Sequence, residues 1–80
     1  MTILADTPEH LVEFESGLLT IARRTDGHCV ALNGRGIAGQ FRDCLRTHSP
    51  ERVVQTFLRI ARGQEWQPLY NPARMPAHAA

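Results

Sequence analysis

Gly34 to Gly39, the hexapeptide GRGIAG, matches the pattern G-x-G-x-x-G. In dinucleotide-binding proteins this pattern forms a strand-to-helix turn whose backbone N–H groups hold the pyrophosphate, and an acid after a second parallel strand binds the ribose. Here the predicted helix runs into Ser49-Pro50-Glu51, which begins another helix. The sequence therefore predicts no nucleotide site. We interpret the glycines as a turn after Asn33, a sharp helix entry at Gly36, and a close approach of helix to sheet at Gly39.

The same helix start keeps one binding role open. Free N–H groups at the beginning of a helix attract anions, and Arg35 lies beside them. Arg35 is therefore a candidate for binding a phosphate or a carboxylate of a partner.

Two cysteines and two histidines raise the question of a zinc site: His28, Cys29, Cys44 and His48. Cys44 and His48 are four residues apart on one predicted helix. Adjacent strand residues point to opposite faces, so His28 and Cys29 cannot both reach one metal without a bulge, and no C-x₂₋₄-C turn is present. We expect no bound metal, and we interpret the cysteines as small apolar residues in a reducing compartment.

Catalytic chemistry finds little support in the sequence. Of the four histidines, His78 is near the C-terminus and His10 is near an acidic N-terminal segment. We also expect a chain this short to leave little room for a pocket of several hundred Å³. The sequence therefore predicts a protein that is not an enzyme and has no cofactor.

A polar and basic stripe runs along the second predicted helix. It comprises residues at i, i+3, i+7 and i+10: Arg52, Gln55, Arg59 and Arg62. With Arg42 and Arg46 on the preceding helix, it outlines a helix-turn-helix. A solvated helix face without function is the alternative, since most such stripes are no more than that.

Charge is unevenly distributed along the chain. Residues 1–15 carry four acids and no arginine, a formal charge of −4, whereas the remaining residues carry nine arginines against four acids, +5. The net charge of +1 argues against a strongly basic nucleic-acid binder. The chain has neither an apolar run of the roughly 18 residues that a membrane span needs nor the features of a signal peptide. We therefore expect no membrane partner and a cytoplasmic location.

The elements that position these residues follow from local patterns. Thr7-Pro8-Glu9 and Ser49-Pro50-Glu51 both resemble helix starts, with a hydroxyl N-cap followed by proline. Residues 7–17 are predicted as a short helix or a strand. Leu18 to Arg24 and His28 to Asn33 flank Thr25-Asp26-Gly27 and predict a β-hairpin.

Two amphipathic helices follow the hairpin. The first is predicted from an apolar stripe: Ile37, Phe41, Cys44, Leu45 and His48. The second is predicted over Pro50 to Arg62 and ends at Gly63. Its predicted buried residues are Val53, Val54, Phe57, Leu58, Ile60 and Ala61. Trp66, Leu69 and Tyr70 are expected to lie back across the core.

These patterns predict one small α+β domain spanning residues 1–80, with a folded core over 7–70 and a frayed tail over 74–80. Its expected architecture is an antiparallel hairpin of two to three strands against two C-terminal helices. By elimination, we expect a non-enzymatic module that occupies a surface of a larger protein with acidic groups. Small inhibitors encoded by phages and mobile elements, such as anti-CRISPR proteins, are examples of this class. A nucleic-acid-binding regulator is the alternative, and a homodimer is possible.

Overall fold

Five antiparallel strands form a single sheet in the computed structural model, which describes residues 1–68. The strands are β1 (Thr2–Asp6), β2 (His10–Glu15), β3 (Leu18–Arg23), β4 (His28–Asn33) and β5 (Gln67–Pro68). Helices α1 (Ile37–Leu45) and α2 (Pro50–Ile60) come between β4 and β5. Spatial order follows chain order from β1 to β5. The prediction of an α+β domain with two helices after a hairpin is confirmed, but the sheet is wider than two to three strands.

The N-terminal segment is a hairpin rather than a helix. Thr7 follows β1, and its side-chain Oγ1 accepts a hydrogen bond from the His10 N–H at 3.0 Å. Its own N–H donates to the His10 carbonyl at 2.9 Å. The helix start predicted at Thr7-Pro8-Glu9 is therefore wrong, and the alternative of a strand is confirmed.

Tight turns connect the central strands. Ser16 and Gly17 join β2 to β3 with φ values of 54° and 82°. Positive φ at both central residues is the condition for a type I′ turn, whose twist suits the flanking strands. The predicted β3–β4 hairpin is confirmed, with Gly27 at φ 74° in its turn.

The core lies between the helices and one face of the sheet. Alternate residues of the central strands supply the sheet side: Val12, Leu19, Ile21, Val30 and Leu32. The helices supply the other side: Ile37, Phe41, Val53, Val54, Phe57 and Ala61. Phe41 and Phe57 make an edge-to-face contact at the centre, with 4.9 Å between ring centroids.

Both helix starts after the sheet have a physical cause. Gly36 precedes α1 with φ 75°, a left-handed conformation that glycine adopts without strain. Ser49 precedes α2, and its side chain accepts a hydrogen bond from the Arg52 N–H at 3.3 Å, with Pro50 at the first helical position. The helix start predicted at Ser49-Pro50 is thus confirmed. Neither helix is long and apolar enough to cross a membrane.

Two residues predicted on apolar helix faces lie elsewhere. Ile60 is 57% exposed at the end of α2, although Phe57 and Ala61 beside it are buried in the core. His48 is exposed in the short connection between the helices. Leu69, Tyr70 and the tail predicted over 74–80 lie outside the described residues.

Candidate functional site

The GRGIAG segment forms the connection from β4 to α1 with its first three residues and begins α1 with its last three. All described strand pairs are antiparallel, and α1 leads directly into α2, so the hexapeptide is not part of a strand–helix–parallel strand unit. The predicted role of Gly36 is confirmed. The role predicted for Gly39 is wrong, since a Cβ atom added there would meet no other atom within 4 Å.

The histidine and cysteine residues are spread over the fold. Cys44 is half-buried against the core, as its position on the apolar stripe predicted. Within residues 1–68, no three side chains of histidine, cysteine, aspartate or glutamate are grouped so that they could hold a metal ion.

Arg52, Gln55, Arg59 and Arg62 are all exposed on or just after α2, and we call them the arginine face. They alternate with the residues that α2 packs into the core, so the helix period directs them away from the sheet. Arg59 lies in the last turn, where a cation also favours the helix dipole. The dipole interaction gives Arg59 a modest structural role, but it does not account for the presence of Arg52 or Arg62.

The arginine face differs from the arginines that hold the fold together. Arg23 makes two hydrogen bonds to Asp26, at 3.2 Å from Nε and 2.7 Å from Nη2. Arg24 donates to the Thr7 carbonyl at 2.9 Å and pairs with Asp6. In the described part of the chain, no carboxylate is within ion-pair distance of an arginine of the arginine face. Its guanidinium groups therefore keep their hydrogen-bond donors available.

Two open grooves share Gln55 and Arg59. The first, which we call the helix groove, has a volume of about 420 Å³ and is lined by His48, Arg52, Gln55, Thr56 and Arg59. The second, the tryptophan groove, has a volume of about 310 Å³ and lies between the end of α2 and the segment leading to β5. Its apolar lining is Val30, Leu58, Ala61 and Trp66, and its polar lining is Gln55, Arg59, Arg62 and Gln64, with Gly63 between them. Arg35 lines neither groove and is separate from the other candidates in the sequence.

The wall of the tryptophan groove is held in place by a chain of contacts. The Arg23 guanidinium carbon lies 4.0 Å from the centroid of the Trp66 ring, a cation–π contact. Asp26 fixes that guanidinium and also accepts a hydrogen bond from the His28 N–H at 3.0 Å. The hydrogen bonds from His28 and Arg23 hold the pKa of Asp26 below its usual value. Trp66 is thus anchored to the β3–β4 turn rather than left free.

Sequence reasoning identified the arginine face but missed the groove beside it. Trp66 was expected across the core; it packs against the core and also lines the groove. The sequence predicted little room for a pocket of several hundred Å³; the two spaces measure about 310 and 420 Å³, but both are open grooves rather than enclosed pockets. The available signal was the position of Trp66 three residues after Gly63, close in sequence to the end of α2.

Comparisons with known proteins give no relative for this chain. No protein-family model matches it, and neither a curated protein nor a solved structure shows significant similarity to it.

Proposed function

We propose that this protein is a small non-enzymatic binding module whose arginine face docks on acidic groups of a larger protein. One observation carries the proposal: three exposed arginines lie on the outer side of α2 or just beyond its end, and no carboxylate of the described chain pairs with them. Arginine is suited to such a role because its planar group forms paired hydrogen bonds with carboxylates.

The geometry adds support beyond the stripe of charges. The inner side of α2 is fixed by Val53, Val54 and Phe57, so the outer side is presented on a rigid element. The two grooves make the surface concave, and interfaces gain affinity where side chains enter such depressions. A small module of this kind acts by covering a surface, in the manner of cytoplasmic inhibitors from phages or mobile elements, the anti-CRISPR-like class.

A nucleic-acid-binding regulator is the second candidate, and Trp66 is the observation that favours it. An aromatic ring beside Arg59 and Arg62 resembles the combination that binds single-stranded nucleic acid by stacking and charge. The net charge of +1 disfavours it, because non-specific binding depends on neutralising many phosphates.

The test compares two double charge reversals. Arg59→Glu with Arg62→Glu changes the last turn of α2 and the second residue beyond its end; Arg42→Glu with Arg46→Glu changes the last turn of α1 and the residue that follows it. All four residues are exposed, so each substitution should shift the free energy of unfolding by less than about 1 kcal/mol, including the lost interaction of Arg59 or Arg42 with its helix dipole. Tagged wild-type and variant proteins are used for pull-down from a bacterial lysate, with and without nuclease. In parallel, each is titrated into labelled duplex DNA at low and moderate salt.

We expect a protein partner that persists after nuclease, is lost with the α2 pair and is retained with the α1 pair. Duplex binding should be negligible at physiological salt. Micromolar DNA binding with a steep salt dependence, abolished by the α2 reversal, would instead establish the nucleic-acid alternative. Loss of DNA binding with both the α1 and the α2 double reversal would support a helix-turn-helix as the form of the nucleic-acid alternative.

A further inference from the structure

The tryptophan groove combines apolar walls with a cationic rim. Val30 and Ala61 are almost completely buried at its base, and half-buried Leu58 and Trp66 form its walls. Arg59 and Arg62 are exposed at its rim. Half-buried Leu58 and Trp66 favour an apolar group, whereas the guanidiniums, which pair with no carboxylate of the described chain, favour carboxylates beside that group.

The size of the groove indicates what can enter it. About 310 Å³ is at the lower limit of the range for small-molecule sites, and the groove is open to solvent on one side. One large side chain of a partner fits this description better than a whole cofactor. Such anchors, surrounded by polar contacts, carry most of the binding energy at protein interfaces.

The groove is also preformed. Trp66 is held by Arg23, which Asp26 holds in turn, so the ring need not be ordered when a ligand binds. Preformed sites lose less conformational entropy on association.

We propose that the tryptophan groove binds one bulky apolar side chain of an acidic peptide segment, with carboxylates on either side of that anchor bound by Arg59 and Arg62. This inference rests on the proposed function, since it specifies the partner chemistry of the same surface.

The only tryptophan of the chain lies in the groove, so its fluorescence reports binding there directly. Three acetylated and amidated peptides without tryptophan serve as probes. One has a central leucine with two glutamates on each side, one replaces the leucine with alanine, and one replaces the glutamates with lysines. We expect a saturable change in Trp66 emission for the first peptide, with a Kd of about 1 mM or tighter. Binding of the other two should be at least about ten-fold weaker, the loss expected for an anchor or a charge pair worth about 1.4 kcal/mol.

Two exposed glutamines provide one variant that changes the groove and one matched control variant outside it. Gln64→Phe adds bulk to the lining, whereas Gln40→Phe adds the same bulk on α1. We expect the first variant to weaken binding of the acidic leucine peptide at least about five-fold and the second to leave its affinity unchanged. The Trp66 indole N–H resonance in the wild type, followed with the same peptides, gives a readout that needs no variant.

Equal response to all three peptides, or no saturable response, would overturn the inference. An oligothymidylate of about eight nucleotides that quenches Trp66 with a lower Kd than the acidic leucine peptide would overturn the inference in favour of base stacking. If a lysate partner is lost with Arg59→Glu and Arg62→Glu but still binds the Gln64→Phe variant, the inference of an apolar anchor in the groove is overturned, whereas the proposed function stands.

Discussion

Phe41 of α1 and Phe57 of α2 meet edge to face, with ring planes inclined at 61° and centroids 4.9 Å apart. Both rings are buried, and Phe41 is fully enclosed. This contact joins the two helices directly above the sheet. Aromatic pairs in this orientation are worth about 0.5 to 1.5 kcal/mol beyond the area that they bury.

Phe57→Ala should therefore remove most of the stability of the domain. The expected loss in free energy of unfolding is about 3 to 5 kcal/mol, comparable with the total stability of a chain this small. Ile60→Ala is the control, because Ile60 lies one turn further on but is 57% exposed. Its cost should be below about 0.5 kcal/mol. Chemical denaturation of both variants checks the pair, and equal losses would mean that the core is misassigned.

Two glycines of the GRGIAG segment should respond to alanine with opposite signs. Gly36 has φ 75°, so Gly36→Ala introduces a strained left-handed residue and should cost about 1 kcal/mol. Gly39 is a helical residue with open space around its Cβ position. Gly39→Ala should stabilise by about 0.5 to 1 kcal/mol. Melting temperatures measured side by side check the signs; stabilisation at both positions would show that Gly36 is not held in this conformation.

The sequence predicted those elements whose local signals have one structural meaning. Ser49-Pro50-Glu51 begins a helix because an apolar stripe with helical spacing follows it, and that spacing places Val53, Val54 and Phe57 in the core. Thr7-Pro8-Glu9 carries the same signal but forms a hairpin turn. In both places a hydroxyl accepts a hydrogen bond from the N–H three residues later, at Arg52 or at His10. That bond stabilises a helix start and a tight turn alike. Only the spacing of the apolar residues that follow distinguishes the two: helical spacing after Ser49 and strand alternation after Thr7.

Long-range pairing accounts for the rest of the difference. β1 and β5 are assigned by their hydrogen bonds to β2 and β4, and neither has a periodicity long enough to identify it alone. The candidate site divides in the same way. The arginine face follows from spacing along one helix, whereas the groove requires Val30 of β4 and Trp66 to meet α2. Contacts between distant segments cannot be read from a local period.

The two cysteines should behave as structural thiols. Cys44 packs partly against the core, and the described histidines and cysteines do not form a ligand set. Native mass spectrometry of protein purified without chelator should give the mass of the bare chain, and EDTA should leave the melting temperature unchanged. One zinc per chain, lost together with the fold on chelation, would contradict this assignment.

The stability of the fold should depend on pH through His10. Burial lowers the pKa of His10 from 6.5; Glu9 opposes this effect and Arg23 adds to it. Because the lowered pKa means that the folded state binds fewer protons than the unfolded state, the free energy of unfolding should rise with pH near and below 6.5. The contribution is fully present above the unfolded value and is lost as pH falls through the folded value.

Urea denaturation at several pH values between about 5.5 and 7.5 measures this slope in a range where carboxylates of ordinary pKa remain ionised. His10→Gln should flatten it, because the variant has no group that must lose a proton on folding at that position. His48→Gln, which removes an exposed imidazole, is the control and should retain the slope. A wild-type slope of opposite sign, or one that survives His10→Gln intact, would show that protonation of His10 is not linked to folding in this way.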